Sequence, residues 1–361
     1  SPAGRSEAEQ WVAAGKRACA QDLAQRLLAV SEIERVIAVV EDEEDDRILH
    51  SLGVETLRPT GQVFEFGSVL SDVIETQSIR QLAYFGGASA PLLRGDAIAG
   101  FVDRVQASES PLAIANNLHS TDWLLINRAD LLVAHSHRFP TDNPLGWVLS
   151  QEVGVPVVSA EPSAATRLDI DTPTDLFMAW AHPAKGSSLS EFLDGQSQEH
   201  KQKLSALQKT LVTPATTLAI IGRASAHLWQ KLVTSTQIWI RLFVEERGMV
   251  ASHRLARGEV QSLIGQMLDL VGPDDFIERL STIADAALWD TRVWMGTRSE
   301  WPSDADRFAS DLGWVEAIED EGLRELTRAL AESPIPILAG GYGVVGGGLY
   351  ALLESMDDSL D

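Results

Sequence analysis

Apolar residues along this chain alternate between short β-branched runs and longer stretches that recur every three or four positions, a pattern that predicts strands joined through helices. Residues 18–30 follow the helical period, and Val36-Ile37-Ala38-Val39-Val40 is a continuous run of the kind a parallel sheet buries. The acidic stretch from Glu41 to Asp46 reads as a solvated loop or a helix start. The pattern continues with a helix over 67–76, a strand over 81–85, a helix over 97–105 and a strand over 112–115. A helix over 144–152, a strand over 155–158 and a helix beginning near Thr174 follow. Strands and helices in this alternation predict a βαβ sheet, closing near His182.

Residues 184–213 are rich in Gly, Ser, Gln and Lys and read as a linker. Beyond them, Leu218-Ala219-Ile220-Ile221-Gly222 predicts a strand entering a helix, and helical stretches follow around 225–247, 257–271 and 274–289. Ile335-Pro336-Ile337-Leu338-Ala339 reads as another strand and residues 346–354 as another helix. The expected organisation is an α/β domain over 1–183, the linker over 184–213, and a helix-rich α/β domain with two or three strands over 214–361.

Composition narrows the classes. With 361 residues and 45% hydrophobic side chains the chain can bury one or two cores, which excludes disorder as its overall state. Lys and Arg number 29 against 52 Asp and Glu, and a net charge of −23 without a basic cluster disfavours nucleic acid and anionic membrane as partners. A nucleotide, which needs only a few local donors, stays open. No run approaches the ~18 apolar residues of a membrane span. The single cysteine, Cys19, cannot form an internal bridge or a zinc cluster, and the expected setting is a reducing, cytoplasmic one.

Two stretches carry the most specific chemistry. In Asp169-Ile170-Asp171-Thr172-Pro173-Thr174-Asp175, Pro173 suits a first helical turn, Thr172 can cap it, and Asp175 favours its positive end. Asp169 and Asp171 then sit at a strand's end, where open α/β sheets bind ligands and hard cations find oxygen; capping and solvation are the competing reading. Earlier, Tyr84-Phe85-Gly86-Gly87-Ala88-Ser89-Ala90-Pro91 runs from a strand into a turn of small residues, which lets a ligand approach the backbone.

Through these two stretches, and the order of helices and strands between them, residues 1 to about 180 resemble the nucleotidyltransferases typified by molybdenum-cofactor guanylyltransferase and phospholactate guanylyltransferase. The resemblance implies a three-layer Rossmann-like (GT-A-type) domain that transfers a nucleoside monophosphate from a nucleoside triphosphate to a phosphorylated or polar small-molecule acceptor, with Mg²⁺. Asp171, and less directly Asp169, match the family's second metal-binding position and are the implied catalytic residues, with Asp171 as metal ligand. At the first position the family has an aspartate, where this chain offers Ala88 or Ser89. The nucleotide would meet Gly86, Gly87 and Ser89, together with Gly4 and Arg5 of a short match to the family's glycine-rich loop, and Lys16 at the place of its lysine. The family's strand before that loop would lie upstream of Ser1. Asn117, His119 and Asp122 fall on the acceptor side, in a stretch whose amide, imidazole and carboxylate suit a polar substrate.

Other motifs weigh less. Gly341-Tyr342-Gly343-Val344-Val345-Gly346 is a literal G-x-G-x-x-G, but only 15 residues follow it, too few for a complete dinucleotide unit; close backbone packing, or a small anion or nucleotide site, are its uses. Arg241 and Glu245, spaced i, i+4, read as a surface helical pair, as do the charges at Asp285, Asp290 and Arg292 and at Asp306, Arg307 and Asp311. Trp229, Trp239, Trp289, Trp294, Trp301 and Trp314 suggest an aromatic-lined cleft or interface. His119, His135 and His137 lack metal-site spacing, and Gly87-Ala88-Ser89-Ala90-Pro91 lacks the second glycine of a hydrolase elbow. The leading expectation is a nucleotidyltransferase. The alternative is a catalytically degenerate member of that fold acting in binding or assembly, and a third reading borrows Asp169-Ile170-Asp171 for a sugar-nucleotide glycosyltransferase. A homo-oligomer stays open.

Overall fold

Helical periodicity at the start of the chain belongs to a 22-residue helix, Glu7–Leu28, whose Ser6 hydroxyl accepts from Glu9 N while the Glu9 carboxylate accepts from Ser6 N. The computed structural model describes residues 6–59 and 64–356, and the chain divides into two units. The described parts of 16–169 and 186–189 form the first, and 6–15, 170–185 and 190–356 form the second.

In the first unit, β1 (Ile37–Val39) and β2 (Glu55–Leu57) pair in parallel. The acidic stretch between them is a helix start, with the Asp42 side chain accepting from the backbone of Glu44 and Asp45. A mixed sheet follows, of β3 (Leu82–Phe85), β4 (Ala113–Ala115), β5 (Trp123–Ile126) and β6 (Val157–Ser159), in the order β3-β5-β4-β6. β5 runs antiparallel to both neighbours, whereas β4 and β6 are parallel. All four β5 residues are buried. Leu124 and Ile126 join a cluster with Leu132, Phe139 and Leu149 on one face, while Trp123 and Leu125 join Ile98, Val102 and Ile114 on the other. Both faces are therefore covered, which is why β5 lacks the polar alternation that marks a half-exposed strand. β2 and β5 were not legible as strands in the pattern.

The second unit holds β7 (Thr217–Gly222), β8 (Trp239–Val244), β9 (Ala286–Asp290) and β10 (Ile337–Gly340), all parallel, in the order β10-β9-β7-β8. The helical stretches expected around 225–247 and 274–289 each resolve into a helix followed by a strand. They are Ala226–Ser235 then β8, and Pro273–Ile283 then β9. Short apolar runs fit either period, and here Trp239-Ile240-Arg241-Leu242-Phe243-Val244 takes the strand its aromatic and β-branched residues favour. Arg241 and Glu245 are accordingly no helical pair: Arg241 Nε donates to Ile283 O, and Glu245 accepts from Ser262 Oγ and Leu263 N.

Residues 184–213 contain two helices, Ser187–Leu193 and Gln198–Val212. The second is polar in composition, but Leu204, Leu207 and Leu211 form a buried stripe at three- and four-residue spacing, and Ser197 caps its start. The Gln- and Lys-rich composition hid that stripe. Fold class is thus mixed α/β in both units, and no helix among the described residues is long and apolar enough to cross a membrane.

Candidate functional site

In the first unit, β3, β4 and β6 end where antiparallel β5 begins, so their loops gather at one end of the mixed sheet. After β3 the turn closes on itself: Gly86 N donates to Asp122 O at 2.9 Å, and Ser89 N and Oγ both donate to Gly86 O at 3.0 and 2.8 Å. Gly87 is exposed, with open space where a side chain would be, so its backbone can be approached. Ser89 forms an antiparallel bridge with Asp169, which brings the carboxylate to the turn.

After β4, buried Asn116 organises the loop. Its Oδ1 accepts from Asp122 N (2.9 Å) and Trp123 N (3.3 Å), and its Nδ2 donates to Asp122 Oδ2 at 2.6 Å. Arg167 Nη1 donates to Asn116 O at 2.5 Å, linking the loop to the segment after β6. Tyr84 donates to Asp142 Oδ2 at 2.8 Å. Burial above all, then the charge of Asp142 with further contributions from Asp122 and Asp169, raises the Tyr84 pKa far above the ordinary phenol value, so its hydroxyl stays a neutral donor. The phenol thus bonds one carboxylate and feels the charge of two more.

Lys16 stands on the Glu7–Leu28 helix. The Cys19 thiol, one helical turn on, is pushed up to about 12 by burial and then by Asp22, and it also feels the charges of Arg26, Asp169 and Lys16. It is an inert, buried thiol. The predicted residues brought together by hydrogen bonds and the bridge are therefore Gly86, Ser89, Asp122 and Asp169, with Gly87 in the same turn.

Others are placed differently. The Asn117 side chain accepts from His119 N at 3.1 Å and so holds its own turn, while the exposed His119 ring lies 5.3 Å from that of Trp147. Asp171 belongs to the second unit and is exposed. Gly4 and Arg5 lie outside the described residues. Among the described residues no group of three or more His, Cys, Asp or Glu side chains could hold a metal ion. With Asp122 engaged by Asn116, these residues do not fit a Mg²⁺ site built from protein ligands. Sequence reasoning missed Tyr84, Asn116, Asp142 and Arg167; only Asn116, adjacent to the polar stretch, carried a usable signal.

The second unit has its own polar cluster where β7, β9 and β10 end. Arg223 pairs with buried Asp290 (Nε–Oδ2 2.5 Å, Nη2–Oδ1 3.1 Å), and buried Arg292 meets buried Asp311 through two bonds of 2.7 and 2.6 Å. These charges are core features rather than surface pairs. Burial opposes the Arg292 charge, but Asp311, then Asp290 and Asp175, outweigh it and hold its pKa above the ordinary value.

The glycines of the G-x-G-x-x-G segment serve packing. A Cβ on Gly340, Gly341, Gly343 or Gly348 would collide with Thr174, Thr172, Asp175 or Met178 respectively. Thr174 Oγ1 also donates to Ala339 O at 2.9 Å. Asp175 caps its helix, Oδ2 accepting from Asp171 N, Thr172 N and Thr172 Oγ1. The Asp-Thr-Pro-Thr-Asp segment is thus a capped helix start seated on a glycine loop. Of the tryptophans, Trp289 and Trp294 are core, Trp301 stacks on Arg307, and Trp229 and Trp239 are exposed.

Comparison of the chain with known family models and with curated proteins gives no match to either.

Proposed function

We propose that the first unit is a three-layer Rossmann-like (GT-A-type) domain of nucleotidyltransferase kind, and that it binds a nucleotide at the end of the mixed sheet formed by the Gly86–Ser89 turn. The observation that carries this reading is the bridge between Ser89 and Asp169 beside the exposed Gly87. It joins an approachable backbone and an aspartate at the sheet end where α/β proteins bind ligands. Lys16 would face the phosphates, and Asn116, by fixing Asp122, would present acceptors to ribose or base. Binding is supported better than transfer, because Ala88 or Ser89 stands at the position of the family's first carboxylate and the Ser89 hydroxyl is spent on Gly86 O.

Transfer of a nucleoside monophosphate to a polar acceptor is the second reading, favoured by the carboxylates of Asp122, Asp142 and Asp169 on the loops at this end of the sheet. A thermal-shift titration of the intact chain with ATP, GTP, CTP and UTP, each with Mg²⁺ or EDTA, separates the two. A ligand at a hundred times its Kd stabilises the folded chain by about 2.7 kcal/mol. A rise in Tm with one nucleotide in EDTA, lost in Lys16→Ala, supports binding. A rise only with Mg²⁺, accompanied by pyrophosphate release on adding an acceptor, supports transfer. No rise with any of the four overturns both.

A further inference from the structure

Strand β8 is the edge of the second unit's sheet and is bonded only on its β7 side among the described residues. Trp239 N donates to Thr216 O and Glu245 N to Gly222 O, so the odd-numbered residues of β8 face β7. The N–H and C=O groups of Ile240, Leu242 and Val244 therefore point out of the open edge. Soluble proteins ordinarily protect such an edge with charges, a proline or a covering segment. Here the only charged residue of the strand is Arg241, whose guanidinium is turned to Ile283 O.

The side chains around this edge are apolar and bare. Trp239 is 69% exposed, and Leu242 and Val244 are exposed beside it. On the helix entering β8, Trp229 is exposed; on the helix Leu263–Val271, tied to the end of β8 by Glu245, Leu263 and Leu270 lie two turns apart and are 75% and 84% exposed. The two helices lie on opposite faces of the sheet, because right-handed crossovers leave β7 toward β8 and return from β8 toward β9. On the strand itself Trp239, Leu242 and Val244 are exposed, and Leu263, bonded to Glu245 at its end, is exposed beside them, the kind of apolar surface that marks an interaction site.

We infer that this edge is a dimer interface, in which β8 pairs antiparallel with β8 of a second copy about a two-fold axis at Leu242. Three arguments select a second copy. An open strand edge is self-complementary under such an axis. Residues 226–271 carry five Lys or Arg against four Asp or Glu, so this patch is nearly neutral in a chain of net charge −23 and does not repel its own kind. A basic partner would find far better complementarity elsewhere on the chain. The register follows from the pleat: residues directly opposite must share a face, so the axis passes through a residue. Arg241 on the axis would set like charges opposite each other. Phe243 on the axis would set Ile240 opposite Glu246, which has a φ of +59° and is not strand. Leu242 on the axis pairs Ile240 with Val244 of the second copy and Arg241 with Phe243 of the second copy, and it uses every outward N–H and C=O group.

The inference is independent of nucleotide binding and is tested on the full chain by sedimentation velocity with two variants. Wild type sediments at twice the 39.2 kDa chain mass at tens of micromolar. Leu242→Lys, at an exposed position, sediments as monomer, its dimer Kd raised on the order of 100-fold, with an unchanged far-UV spectrum. Leu242→Cys is joined to its counterpart by a short thiol-specific cross-linker, since the Cβ atoms of residues directly opposite in an antiparallel pair stand about 4.5–5.5 Å apart. The same change at exposed Val212 does not link. A monomeric wild type, a dimeric Leu242→Lys, or a dimer that Leu242→Cys fails to link overturns the inference.

Discussion

Gly343 lies so close to Asp175 that a Cβ at position 343 would overlap the carboxylate Oδ1, an atom with no hydrogen-bond partner among the described residues. Oδ2 is fully used in capping. The carboxyl is therefore half satisfied and buried, and burial first, then the charge of Asp171, pushes its pKa from 3.8 up to about 7 against the opposing bonds from Thr172 and Asp171. Arg292 is the nearby cation that partly offsets this. Between about pH 4 and pH 7 the folded chain then binds more protons at this site than the unfolded chain does. Its contribution to stability falls as pH rises through that window, by up to about 1.4 kcal/mol per pH unit, and is flat above it. Asp175→Asn removes the slope, so the stability of the variant relative to wild type improves steadily from pH 4 to pH 7 in urea titrations. Parallel curves across that range would show that the carboxyl titrates normally.

Gly343→Ala tests the packing side of the same contact. Forcing a methyl group into the capping carboxylate is expected to cost about 1–3 kcal/mol, read as a lower urea midpoint at constant m-value. Free tolerance of alanine would mean that the loop can retreat from the helix start.

The Arg292–Asp311 pair, buried on both sides, makes a sharper prediction. Asp311→Ala leaves a guanidinium buried with its nearest carboxylate gone and is expected to cost about 3–5 kcal/mol. Replacing both residues with apolar ones of similar volume is expected to cost much less. Equal losses in the single and double variants would show that the pair acts through packing alone.

Gly222, at the end of β7, has a φ of +121°, and a Cβ there would lie 2.5 Å from that of Asp290. Gly222→Ala is therefore both strained and crowded, and its expected cost is roughly 1–3 kcal/mol, with the Arg223–Asp290 pair displaced. An unchanged melting temperature would contradict this reading of the turn.

Much of the fold was legible because its signals are local. Runs such as 218–222 and 337–339 are strands on any reading, and Thr172, Pro173 and Asp175 announce a helix start that the structure contains. The failures have physical causes. Trp123–Ile126 is buried on both faces, so nothing in its pattern separates strand from core helix, and Trp239–Val244 is exposed on an edge where apolar residues mimic a helical stripe. Of the site, the Gly86–Ser89 turn and Asp122 were legible as small and polar residues at strand ends. Tyr84 and Asp142 were not, since their pairing spans 58 residues. Asp171 was assigned to the site by its resemblance to the aspartate before Thr-Pro, yet the boundary between the two units falls between Asp169 and Ile170.

Asn116 carries the loop that would receive a nucleotide. Asn116→Ala leaves the backbone of Asp122 and Trp123 without their acceptor and is expected to cost about 1–3 kcal/mol and to abolish nucleotide-induced stabilisation. A variant that keeps the stabilisation would move the nucleotide away from this loop.

Hydrogen–deuterium exchange of the intact chain, with and without the nucleotide that raises Tm most, locates the site directly. Slower exchange in peptides covering 86–89 and 116–122, with 222–225 and 340–347 unchanged, is the predicted result. Protection confined to 222–225 and 340–347 would contradict the account and assign the nucleotide to the second unit.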